Sequence, residues 1–255
     1  MTFATVNGVQ LRYDWQAGDG EPLVLLHEMG GALESWDLVV RALPDRAILR
    51  PDLRGFGLSE KPAGEIAMED LVGDVTALMD HVGIGTAHLA GCAVGGGVAI
   101  AAAGALGKRC SRLTAFAPAT GVPAERRSAV LGLADFLARE GIRGFLEGDT
   151  IPKAWPEPRF DRNGEGFAIF LQTQLGTSPD MLAATYRMLA GLDLGETLKT
   201  LDCETLFVAG THDIARTPAI VSQIASKVRD SKFLEIDSSH FMALQSPGLV
   251  AKILS

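Results

Sequence analysis

Residues 89–97 read Leu89-Ala90-Gly91-Cys92-Ala93-Val94-Gly95-Gly96-Gly97. An apolar run, Ala87–Gly91, enters this stretch and a Gly/Ala-rich run, Val94–Leu106, leaves it. Small residues two before and two after the centre permit a sharp strand-to-helix turn. Such a turn lifts the central side chain above a sheet, at a helix N-terminus. The central residue here is Ala93, which offers no nucleophile.

Outward from this turn, short apolar runs alternate with helical patterns. Phe3–Val6 and Leu11–Trp15 flank Asn7-Gly8, a type I′ hairpin signal. Leu23–His27 is a continuous apolar run after a turn at Gly18–Pro22, as expected of a strand buried on both faces. Ala47–Arg50, Ala87–Gly91, Leu113–Ala117, Thr205–Ala209 and Phe233–Ile236 complete the strands. Helices are expected at Ser35–Leu43, Met68–Val82, Val94–Leu106, Ala219–Lys227 and Pro247–Leu254. A hairpin followed by alternating strands and helices predicts an α/β fold: a mostly parallel, eight-stranded sheet covered on both faces.

From Ala119 to Thr200 no convincing strand occurs. Helical patterns at Arg127–Arg139, Phe167–Gln174 and Asp180–Ala190 make this interval an expected helical lid. The expected division is a core of residues 1–118 and 201–255 with a cap at 119–200.

Composition narrows the function classes. The 255 residues are 47% hydrophobic and 21% charged, as in a globular chain that needs no disulfides or structural metal. Net charge is −8, from 23 basic and 31 acidic residues, which argues against nucleic acid as a partner. The three cysteines include no CxxC, so neither a zinc ribbon nor a disulfide framework is expected. No signal peptide or bilayer-spanning run is visible. The expectation is a cytoplasmic protein with a small-molecule substrate, no cofactor, no metal and no membrane contact. Oligomeric state is not readable.

Two further positions complete a pattern with Ala93. Asp213, in Gly210-Thr211-His212-Asp213, lies just past one expected strand. His240, in Ser238-Ser239-His240-Phe241, lies just past the last. Catalytic groups of open α/β sheets gather at the carboxyl ends of strands. Nucleophile position, acid and histidine thus follow in the order 93, 213, 240.

With these residues the chain resembles an α/β-hydrolase, in the branch of 3-oxoadipate enol-lactonases and ring-cleavage-product hydrolases. The matching stretches are His27–Gly31 with Ser35-Trp36, Asp52–Ser59, the turn at 91–95, Gly210–Asp213 and His240–Pro247. The resemblance implies hydrolysis of a small ester or lactone. Carbon–carbon or amide hydrolysis of a ring-cleavage product is the alternative. His240 would serve as base and Asp213 as its orienting partner. The oxyanion hole would be the N–H groups of Val94 and Met29.

Two residues depart from the family: Ala93 replaces serine, and Glu28 replaces a glycine. Ala93 reads as an engineered serine-to-alanine change, as natural loss leaving a ligand-binding protein or a His/Asp-dependent lyase, or as a shift of the nucleophile to Cys92. The last fails because Val94 would occupy a position that needs a small residue. The intact flanking glycines, acid and histidine favour the first. In either remaining case acyl transfer should be nearly absent. Glu28 either shapes its loop through hydrogen bonds or meets a polar substrate group, and the structural role is favoured. Asp52 and Arg54 should tie loops together, with carboxylate binding the lesser reading of Arg54. Trp36, Trp155, Phe170 and Phe241 are the aromatic candidates for the pocket. His27 is expected to be structural, and His81, His88 and His212 structural or exposed.

Overall fold

The computed structural model describes residues 2–157 and 159–255. Among them, eight strands form one sheet in the order β1-β2-β4-β3-β5-β6-β7-β8. The strands are β1 (Thr2–Val6), β2 (Val9–Gln16), β3 (Asp19–Leu26), β4 (Arg46–Pro51), β5 (Ala87–Cys92), β6 (Cys110–Phe116), β7 (Glu204–Gly210) and β8 (Lys232–Ile236). β1 pairs antiparallel with β2, and β2 with β4; every pairing from β4 to β8 is parallel. The hairpin turns on Asn7 and Gly8, with φ of 48° and 74°. Two successive positive φ values are what a type I′ turn requires, and Asn-Gly supplies them at least strain. Strand β3 starts at Asp19, inside the expected turn at Gly18–Pro22 and before the expected strand at Leu23, because its first residues reach Arg46 of β4 across a register shift.

Helices cover both faces. They are α1 (Met68–Val82), α2 (Val94–Leu106), α3 (Arg127–Glu140), α4 (Glu165–Leu175), α5 (Pro179–Gly191), α6 (Gly195–Thr200), α7 (Pro218–Ala225) and α8 (Pro247–Leu254). The expected helix at Ser35–Leu43 is instead a 3₁₀ turn, Leu33–Trp36, running into one α-turn, Asp37–Val40. One apolar cluster packs α1 and α2 against one face of the sheet. A second, built on Trp36, Val39, Phe116 and Val250, fills the other.

The interval between β6 and β7 holds α3 to α6 plus short helical turns between 143 and 154. α3 packs along α5. A lone bridge between Gly121 and Asp193 draws together residues near the two ends of the interval. Leu194 N–H also donates to Thr120 O at 3.1 Å. Side chains then anchor it to the core. Gln174 Nε2 donates to Met29 O at 2.9 Å, and Thr177 Oγ1 donates to Gly30 O at 3.0 Å.

Candidate active site

The site sits where β3, β5, β7 and β8 end. β5 stops at Cys92 and α2 starts at Val94, so the whole turn rests on Ala93, with φ 50° and ψ −112°. This is backbone that a Cβ-bearing residue rarely adopts, at a cost of roughly 1–3 kcal/mol. Two glycines make it sterically possible. A Cβ at Gly91 would lie 2.2 Å from Gly95 O, and one at Gly95 would lie 2.3 Å from Leu26 O. The glycines therefore let the helix N-terminus press onto the ends of β5 and β3.

Asp213 and His240 meet as the sequence order suggests. His240 Nδ1 and Asp213 Oδ2 are 2.7 Å apart. Asp213 is 2% exposed, and its Oδ1 accepts the N–H groups of Ala215 and Arg216 at 2.8 and 2.9 Å. Burial alone would raise this carboxyl. The His240 charge and these hydrogen bonds outweigh it and hold Asp213 below the usual carboxylate range. With Nδ1 engaged, His240 Nε2 is the nitrogen left for a ligand.

Ala93, Val94, Glu28, Met29, Asp213, His240 and Phe241 all line one cavity of ≈460 Å³. Among the described residues, the N–H groups of Met29 and Val94 donate to no protein acceptor. Both are thus free to bind an anion. A larger open groove of ≈920 Å³ lies between α1, α2 and α5. It shares no lining residue with the first and contains no histidine, cysteine or serine.

Three of the aromatic candidates are not part of the wall. Trp36 is fully buried on the opposite face of the sheet, edge-on to Phe116 at 6.3 Å between centroids. Trp155 and Phe170 stand behind Phe241. Phe170 contacts Phe241 at 4.6 Å and Trp155 at 5.3 Å, so they brace the wall without forming it. Of these aromatics, Phe241 alone lines the cavity. Arg54 is also elsewhere. Its guanidinium is spent on Asp74, at 2.6 and 2.8 Å, and on Asn7 O. Asp52 ties loops as expected, accepting from Arg12, Leu33 N–H and Leu58 N–H. Cys92 is buried on the far face, its thiol pushed up by burial.

Glu28 is inside the site. It is 3% exposed, and Oε1 accepts from Ser35 Oγ–H at 2.9 Å. Glu28's own backbone N–H also bonds to the carboxyl, so a hydroxyl and a backbone group together hold it in its loop. Burial raises its carboxyl above the usual range. Arg216, missed in the sequence, also lines the cavity. Its half-buried guanidinium makes no hydrogen bond or ion pair among the described residues. Burial lowers its pKa against the opposing pull of Asp213, and neighbouring Arg126, another wall residue, lowers it further. No motif in the sequence marks it.

The family model described as alpha/beta hydrolase fold matches residues 21–145. The chain has the α/β-hydrolase fold. The crystal structure of the enol-lactonase from Burkholderia xenovorans LB400 superposes on this chain with a TM-score of 0.89 and 26% identity. It covers 99% of this chain and 98% of that one. The 3-oxoadipate enol-lactonase 1 of Acinetobacter baylyi is 26% identical over 242 residues, 91% of this chain and 86% of that protein. A higher identity, 39% over 145 residues, links 56% of this chain to 36% of a dihydrolipoyllysine-residue acetyltransferase component of the acetoin cleaving system of Pseudomonas putida. The first curated relatives are matched over only 26–36% of their own length.

Proposed function

We propose that this chain carries the site of a serine-type hydrolase for a small, carboxylate-bearing ester or lactone, silent in acyl transfer because residue 93 is alanine. The observation that carries the reading is Ala93 itself. It keeps the strained backbone of a nucleophile turn and faces the same cavity as the bonded His240–Asp213 pair.

A seryl hydroxyl at 93 would lose its proton to His240 Nε2 as it attacked the ester carbonyl. Asp213 would hold the ring tautomer and stabilise the imidazolium. The oxyanion would accept from the N–H groups of Met29 and Val94. Arg216 and Arg126 supply the positive end of the cavity, and a guanidinium without a protein acceptor selects a ligand that brings one. The helical interval 119–200 serves as the lid, since it contributes Arg126 and much of the wall. The names of the enol-lactonase relatives agree with such a substrate.

The test is Ala93→Ser. Losing the triad serine costs about six orders of magnitude in turnover in subtilisin. The serine variant should therefore hydrolyse p-nitrophenyl acetate at least about a thousandfold faster than the parent chain. A folded Ala93→Ser protein with no gain would overturn the reading. In that background, Arg216→Met should raise KM for a half-ester of a dicarboxylic acid about tenfold or more, and leave the neutral ester unchanged.

A further inference from the structure

Glu28 is the second unusual residue of the site, and acyl transfer has no use for it. A carboxylate beside two N–H groups that await an oxyanion would oppose the charge they are meant to hold. Its surroundings remove that conflict. Leu53 N–H donates to His27 Nε2 at 2.9 Å, so that nitrogen carries no proton. His27 Nδ1–H is then the donor to Glu28 O at 2.7 Å. The ring is neutral and brings no positive charge to the carboxyl beside it. Ser35 is neutral, and Cys92 is held as a thiol by burial. His240 is the one remaining source of positive charge close enough to act on Glu28. Burial dominates and favours the protonated acid.

The orientation also matters. Oε1 is occupied by Ser35, whereas Oε2 bonds to no other residue among those described. Glu28 is a wall residue of the cavity, which leaves Oε2 as its oxygen for a ligand.

We propose that the Glu28 hydroxyl and His240 Nε2 act together to enolise a carboxylate-bearing ketone held over Ala93, an activity beyond acyl transfer that needs no nucleophile. His240 Nε2 takes a proton from the carbon next to the carbonyl. The C–H electron pair becomes the C=C bond, and the carbonyl π pair moves onto oxygen. That oxygen accepts hydrogen bonds from Glu28 Oε2–H and from the N–H groups of Met29 and Val94. The imidazolium returns the proton to carbon, or to a conjugated position, so substrate and product are isomers. A base opposed to a neutral carboxylic acid is an established way to stabilise an enolate. The methyl group of Ala93 provides an inert floor where a serine would be attacked or acylated.

The experiment uses the unaltered chain in D₂O at pH 7 with levulinate, a simple keto acid, followed by proton NMR. Exchange next to the ketone should run about a hundredfold faster than with His240→Ala. Glu28→Ala should lose most of that gain, and Glu28→Gln, which keeps an N–H donor, should retain part of it. Infrared difference spectra between the parent and Glu28→Gln should show a protonated carboxyl at pH 7. Exchange no faster than with His240→Ala, or an ionised Glu28, would overturn the proposal. Neither outcome bears on whether Ala93→Ser gains esterase activity.

Discussion

Ala93 pays a conformational cost that its own side chain never repays. Glycine adopts positive φ freely, so Ala93→Gly should stabilise the protein by about 1 kcal/mol, net of the entropy glycine adds to the unfolded chain. Urea unfolding of the two proteins measures this directly. His88 is a second residue whose burial has a price in solution behaviour. Its ring is buried, Nε2 lies 2.9 Å from Thr114 Oγ1, and Nδ1 has no partner. Burial, with Arg112 and Arg46 nearby, lowers its pKa from 6.5 to about 3. Between those values the unfolded chain binds the extra proton. Stability is therefore full above pH 6.5 and falls as pH drops toward 3. His88→Leu should flatten that acid limb by a few kcal/mol in denaturant titrations at pH 4 and pH 7. At this scale the sequence is an uneven guide. Ala93, Asp213 and His240 are legible because each sits at a strand end. Arg216 is not, since an arginine is remarkable only once its lack of an acceptor is known. Trp36 misleads for the converse reason: a large aromatic near a motif says nothing about which face of the sheet it fills.

Elements with two marked ends are the ones read correctly. α1 and α2 match their expected ranges residue for residue, α1 closed by Gly83 in the left-handed conformation and α2 opened by the turn at Ala93. The region 143–154 breaks into short turns, because Gly144, Gly148 and Pro152 interrupt any continuous pattern. The 3₁₀ turn at Leu33–Trp36 escaped for a different reason. It is held by distant contacts, with Leu33 N–H bonded to Asp52 Oδ1 at 2.7 Å, and no local periodicity records those. The turn at 91–95 gives the clearest element-scale prediction. Gly95→Ala would drive a methyl group into the carbonyl of Leu26, which is backbone and cannot swing aside. Overpacking of this kind costs about 1–3 kcal/mol. In the Ala93→Ser background it should also abolish the gained esterase activity, by moving residue 93 away from His240. Calorimetry and the ester assay on the double variant check both effects.

At the scale of the molecule, the sheet divides the site between two stretches of chain. Residues 28 and 93 follow β3 and β5, while 213 and 240 follow β7 and β8. The seam between the halves is the β6–β7 pairing, where Arg112 lies opposite Glu204. About ninety residues, including the whole helical interval, must be looped out before that pairing can form, at an entropic cost of roughly 4 kcal/mol on the logarithmic law for loop closure. The histidine–aspartate pair belongs to the β7–β8 unit and can assemble locally, but it meets the rest of the cavity only across this seam. Folding kinetics should record the division. In refolding from urea, hydrogen-exchange protection in β3 and β5 should precede recovery of ligand binding, which should track the slowest phase. The parallel seam that completes the sheet is thus also the step that switches the site on.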